Sequence, residues 1–195
     1  MKKIMAILLV LLLMPTIVFA KDPESMSLED ALKEEEIEYD LGDYQESDQK
    51  VNVYLFRGKG CSHCYEFLEY VSKDLIKESG EYFNLVTYEV WNNEDNKEVM
   101  DKVAEYLGEE AGGVPFIVIG DKVFAGYAES MNDEMKEAIK KLYDSEDRYD
   151  VIKKLETDPS VKDKKKSKND STMTVVFILF ASVALVVLIV KIIKK

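Results

Sequence analysis

The chain has 195 residues, with 38 Asp and Glu against 26 Lys and Arg, and a formal charge of −12. An exterior this acidic repels a phosphate backbone and favours solubility, which excludes nucleic acid as a partner. With 2 cysteines and 1 histidine, a closed zinc site is excluded as well, because such sites take about four ligands in tetrahedral array.

Residues 1–20 read as a secretory signal: Lys2 and Lys3 open it, an apolar run follows, and Val18-Phe19-Ala20 makes a small-residue cleavage site. Residues 21–49 are predicted as an acidic helix and a loop. Ser27-Leu28-Glu29-Asp30 resembles a capping-box start, and Leu28, Ala31 and Leu32 keep helical spacing. Residues 50–156 are predicted as one folded domain, long enough to bury a core without added staples.

Within that domain, residues 51–56 are short, β-branched and aromatic and predict a buried strand, broken by Gly58 and Gly60. A helix is predicted from Cys61 to Ser79, with Cys64, Phe67, Leu68, Val71 and Leu75 on one face and Gly80 as its stop. A strand at 83–91 and a helix at 94–107 follow, the latter with Val99, Val103 and Leu107 inward and Gly108 at its end. Residues 116–119 and 122–125 predict a hairpin around Gly120-Asp121. Met131, Met135, Ala138, Ile139 and Leu142 mark another helix, and Val151, Ile152 and Leu155 a last short one.

Residues 157–170 are a Lys-rich linker. Residues 171–190 are uncharged and apolar, and as a helix they span about 30 Å, the thickness of a bilayer's hydrocarbon core, so they are predicted to cross a membrane. Residues 191–195 form a short lysine-bearing tail, expected on the cytoplasmic side. Lys2 and Lys3 favour export of everything before the span. The cluster Lys162, Lys164, Lys165, Lys166 and Lys168 then falls outside, against the positive-inside tendency.

The order strand, helix, strand, helix, hairpin, helix predicts an α/β fold. The first two strands, joined through a helix, should be parallel, and the hairpin adds an antiparallel pair. The expectation is a four-stranded mixed sheet with helices on both faces.

The chemistry concentrates in Cys61-Ser62-His63-Cys64. A C-x-x-C that follows a strand and opens a helix suits reversible dithiol exchange. Cys61 stands at the helix N-terminus, where unpaired N–H groups and the macrodipole favour an anion, so it is the expected attacking thiolate. Cys64, one turn in beside Phe67, is the expected resolving thiol. His63 can donate a hydrogen bond or a positive charge to the thiolate and favour the oxidising direction. Covalent haem attachment needs a His where Tyr65 stands, and a papain-like hydrolase needs a distant His that the chain lacks. Trp91, Tyr82, Tyr88 and Tyr106 read as packing residues.

The motif, the element order and Gly113-Val114-Pro115-Phe116 ahead of the third strand together resemble the thioredoxin fold across about residues 50–144. The resemblance implies that Pro115 is cis and packs against the redox pair, and that Val114 and Ser62 contact substrate. It also implies that the redox-active disulfide is the only cofactor, with no metal. Ser62-His63 resembles the x-His pairs of bacterial disulfide oxidases and protein disulfide isomerase. Two positions depart from the pattern: Leu55 stands where a buried acid is usual, and Lys59-Gly60 where a Trp is common. Val114-Pro115, Ile119-Gly120 and Gly126-Tyr127 are closer to glutaredoxins.

The implied protein is a membrane-anchored, extracytoplasmic thiol–disulfide oxidoreductase of a plasma membrane, with oxidase or isomerase direction favoured. It would act on the thiols and disulfides of exported or membrane proteins and be recharged by a membrane redox partner. A reductase fed by a membrane electron donor and a non-catalytic, redox-responsive binding module are the alternatives.

Overall fold

Residues 23–158 are described by the computed structural model. The predicted signal, the apolar span, its tail and nearly all of the Lys-rich linker lie outside them. Among the described residues, no helix is long and apolar enough to cross a membrane.

The elements run β1 (Ser25–Ser27), α1 (Leu28–Glu34), β2 (Val51–Arg57), α2 (Ser62–Tyr70), a π-helical stretch (Val71–Leu75), α3 (Ile76–Ser79), β3 (Phe83–Glu89) and α4 (Glu94–Leu107). They continue with β4 (Phe116–Ile119), β5 (Lys122–Ala125), a 3₁₀ turn (Glu129–Met131), α5 (Asn132–Asp144) and α6 (Val151–Thr157). The strands form one mixed sheet in the order β1-β3-β2-β4-β5. β2 and β3 are parallel, with Leu55 opposite Thr87, and β2–β4 and β4–β5 are antiparallel.

The sheet therefore has five strands where the sequence predicts four. The extra strand is β1, antiparallel to β3 with Met26 opposite Thr87. Ser-Met-Ser is too short and too polar to carry a period-2 signal, so its pairing rests on tertiary contacts. Asn96 supplies them: its Oδ1 accepts the Glu24 N–H at 2.8 Å, and its Nδ2 donates to the carbonyls of Glu24 (3.1 Å) and Glu89 (2.9 Å). That buried amide replaces a stretch of backbone ladder and fastens the N-terminal extension to the edge of the sheet.

Alternation along β2 sends successive side chains to opposite faces. Val51, Val53 and Leu55 join Leu28, Leu32, Phe67, Leu68, Val71 and Ile139 in one core. Tyr54 and Phe56 join Met100, Val103, Phe116, Val118, Val151 and Leu155 in the other. Helices thus cover both faces. The predicted single helix from Cys61 is interrupted by the π-helical stretch, yet Cys64, Phe67, Leu68, Val71 and Leu75 are all buried.

Ser27 caps α1 by accepting the Asp30 N–H, Asn93 caps α4 through Asp95 and Asn96, and Gly108 ends α4 at φ +74°. That left-handed conformation costs a glycine little, whereas most side chains clash there.

Candidate active site

β2 ends at Arg57, and the chain turns through Gly58, Lys59 and Gly60 into α2. Gly60 adopts φ +77°, and the Cys61 N–H returns to the Gly58 carbonyl at 3.1 Å. Cys61 is the N-cap of α2. Its backbone is extended and its carbonyl receives the Tyr65 N–H at 2.9 Å, while its side chain caps nothing. The sulfur is thus uncommitted to the helix backbone and sits at a helix N-terminus, where an anion is favoured.

Both cysteines are free thiols, Cys61 half-buried and Cys64 fully buried. The two side chains are within hydrogen-bonding reach of each other, and burial pushes the Cys64 thiol well above the ordinary thiol range, with Cys61 adding to the shift. Two influences oppose it: a hydrogen bond from the Gly58 backbone and the positive charge of Arg57. The pair is thus asymmetric, with one sulfur reachable and the other sheltered and held neutral.

The Val114–Pro115 peptide is cis. Its loop reaches the first cysteine: the Cys61 sulfur is 3.9 Å from the Val114 carbonyl oxygen, and Pro115 is buried while Val114 is half-buried. Residues 53 positions apart in sequence meet there. Ser62 is exposed beside Cys61. His63 points outward, its side chain 63% exposed, with Nδ1 3.1 Å from Glu66 Oε2. The ring nitrogen faces that carboxylate.

Three features of the site escape the sequence reading. Arg57 is fully buried, gripped by Glu34 and Glu35 of the N-terminal extension. Glu89, at the end of β3, receives the backbone N–H groups of Lys59 (3.3 Å), Trp91 (3.0 Å) and Asn92 (2.9 Å) and so pins the turn. Trp91, read as packing, is 59% exposed. Its indole lies on Gly58, where a Cβ would come within 2.1 Å of the ring. The sequence offers only the glycine directly after the strand, and the structure supplies the reason for it: Gly58 is buried without a positive φ, which marks a close approach.

Among the described residues, no group of His, Cys, Asp and Glu is arranged to hold a metal ion. Set against protein-family models, curated proteins and solved structures, the chain gives no match in any of the three comparisons.

Proposed function

We propose that the chain is a thiol–disulfide oxidoreductase of thioredoxin-like fold, tethered by residues 171–190 to the outer face of a plasma membrane. The observation that carries this reading is the asymmetry of the two free thiols: Cys61 reachable at a helix N-terminus, Cys64 wholly buried against it.

In the reducing direction, the Cys61 thiolate attacks a substrate disulfide R–S–S–R′. The Cys61–S–S–R bond forms, the S–S bond of the substrate breaks, and R′–S⁻ departs with the electron pair. Cys64, after giving its proton to solvent, attacks the Cys61 sulfur. The Cys61–Cys64 bond forms and R–S⁻ leaves, so two electrons have passed from the protein to the substrate. Run backwards from the protein's disulfide, the same steps oxidise a substrate dithiol. Recharging then falls to a membrane partner that takes up the two electrons.

Val114, whose carbonyl oxygen lies 3.9 Å from the Cys61 sulfur, its neighbour Pro115, and Ser62 next to Cys61 in the chain are the proposed contacts for the substrate chain. A strand of that substrate would run past the Val114 carbonyl. Cysteines of exported or membrane proteins are the proposed substrates, since disulfides persist outside the cytoplasm.

Oxidation or isomerisation follows from a His between the cysteines, and reduction is the second reading. The pairing of His63 with Glu66 favours the latter, because a ring nitrogen engaged by that carboxylate is not offered to the thiolate. A reduction potential near about −270 mV supports the reductase, and one above about −200 mV the oxidase.

A Cys64→Ala variant tests the enzyme reading, because it is expected to accumulate mixed disulfides at Cys61 that name the substrates. If no mixed disulfide forms, and variants lacking either cysteine replace the normal protein fully in cells, a binding module stands in place of the enzyme. A membrane-impermeant thiol reagent on intact cells should label Cys61. Protection of Cys61 until the cells are lysed would overturn the topology.

A further inference from the structure

Arg57 closes β2 on the same sheet face as Val53 and Leu55, the face covered by α1 and α2. Its side chain is 0% exposed. Nη1 lies 2.8 Å from Glu35 Oε1, and Nη2 donates to Glu34 Oε2 and lies 3.3 Å from Met26 Sδ. All three partners belong to the N-terminal extension. Nε is buried without a hydrogen-bond partner among the described residues.

Glu35 is shared. Its carboxylate also accepts the Gly60 N–H at 3.1 Å, so the group that neutralises Arg57 also fixes the turn before Cys61. Gly58, the next residue after Arg57, bonds the Cys64 sulfur through its backbone. One buried cation and one buried carboxylate therefore meet the redox turn at both of its ends. A buried guanidinium is tolerable only with its charge paired.

We propose that Arg57, tuned by Glu34 and Glu35, is a positioning residue for the resolving step: a buried positive charge that stabilises the Cys64 thiolate while it displaces R–S⁻ from Cys61. This rests on the dithiol reading above. In the step, the Cys64 proton passes to solvent base, the Cys61–Cys64 bond forms, and R–S⁻ leaves with the electron pair of the broken bond. The other charged groups facing the site are Lys59, whose Nζ lies 3.7 Å from Glu34 Oε1, Glu89 at the end of β3, and His63, which is paired with Glu66. The extension thus does more than add an edge strand; it sets the charge balance under the dithiol.

The reduced full chain, mixed with a chromogenic aromatic disulfide (dithiobis-nitrobenzoate), should release one coloured thiolate on attack by Cys61 and a second on attack by Cys64. The second phase is followed against pH. Glu35→Gln, which leaves the cation less neutralised, should lower the pH midpoint of that phase by about 0.5–1 pH unit. Arg57→Met should raise it by a similar amount, and Arg57→Lys should restore most of the normal profile.

Loosened packing does not produce shifts of opposite sign. Both variants moving the same way, or neither moving, overturns the proposal. Should Arg57→Met fail to fold, Glu35→Gln decides alone: a downward shift supports the role, and no shift or an upward one removes it. If the unmodified chain releases no second thiolate at any pH, the dithiol reading itself falls.

Discussion

The Tyr54 hydroxyl donates to Asp150 Oδ1 at 2.8 Å, joining the central strand to the residue that caps α6. Asp150 also accepts from Asn52 Nδ2 at 3.1 Å and from the Lys153 N–H at 3.1 Å. One carboxylate thus starts α6 and clamps it to β2, 96 positions away. Burial, and then the charge of Asp150, hold the Tyr54 phenol protonated well above its usual range.

Asp150→Ala removes a helix cap and leaves a buried hydroxyl without its acceptor. Together these are expected to cost about 2–3 kcal/mol of unfolding free energy. Tyr54→Phe keeps the cap and the ring and should cost about 1 kcal/mol. Denaturant unfolding of the two variants and their double mutant measures the coupling. Simple additivity would mean the clamp does not exist.

Cys64 gives the folded chain a pH dependence of known sign. Its buried thiol keeps its proton to higher pH than the unfolded chain does, because burial raises it. Below the ordinary thiol value of 9.0 both states hold the proton and stability is unaffected. Above it the unfolded chain binds fewer protons. Stability then falls with rising pH by about 1.4 kcal/mol per unit until the folded thiol also ionises. Urea unfolding of the reduced chain between about pH 9 and pH 10, below the range where buried phenols such as Tyr54 add their own slope, should show this effect, and Cys64→Ala should lose it. A variant with the same alkaline slope would refute the assignment.

The parts legible in the sequence are those written in local spacing. The apolar stripe Cys64, Phe67, Leu68, Val71, Leu75 identifies the face of the site helix, and the Ser27 cap and the Gly108 stop mark helix ends that the structure has. The hairpin at Gly120-Asp121 is likewise local. Arg57 was not legible, because its partners lie 22 and 23 positions upstream on a helix that reads as acidic surface. Strand β1 was hidden for the same reason: three residues carry no periodicity, and their hold on the sheet comes from Asn96, 72 positions later. The sheltered position of Cys64 could be placed from sequence, whereas the charges around it are assembled by tertiary contacts.

Gly58 and Trp91 offer a built-in reporter. Trp91 is the chain's single tryptophan, and its indole rests on a backbone that touches both cysteines. Gly58→Ala would drive a methyl into the ring, and since the indole is mostly exposed, the ring should move before the core does. The expected result is a red-shifted tryptophan emission with a stability loss of about 1–2 kcal/mol. Emission of the unmodified chain should also change between the dithiol and disulfide forms. An emission spectrum indifferent to both changes would show that the indole does not rest on the turn before Cys61.

His63 is the last tunable group beside the dithiol, and its surroundings weaken it. An exposed imidazole facing an exposed carboxylate is screened by water and salt, and any positive charge it takes up is shared with Glu66. His63→Ala should therefore change the Cys61–Cys64 reduction potential by less than about 30 mV, under a tenfold change in the exchange equilibrium. Glu66→Gln, which frees the ring, should move the potential upward and make the disulfide the better oxidant. Equilibration with glutathione redox buffers measures both shifts. A much lower potential in His63→Ala would restore the ring as the main determinant of direction and favour the oxidase. A potential unchanged in Glu66→Gln would mean that the ring has no electrostatic line to the sulfur at all.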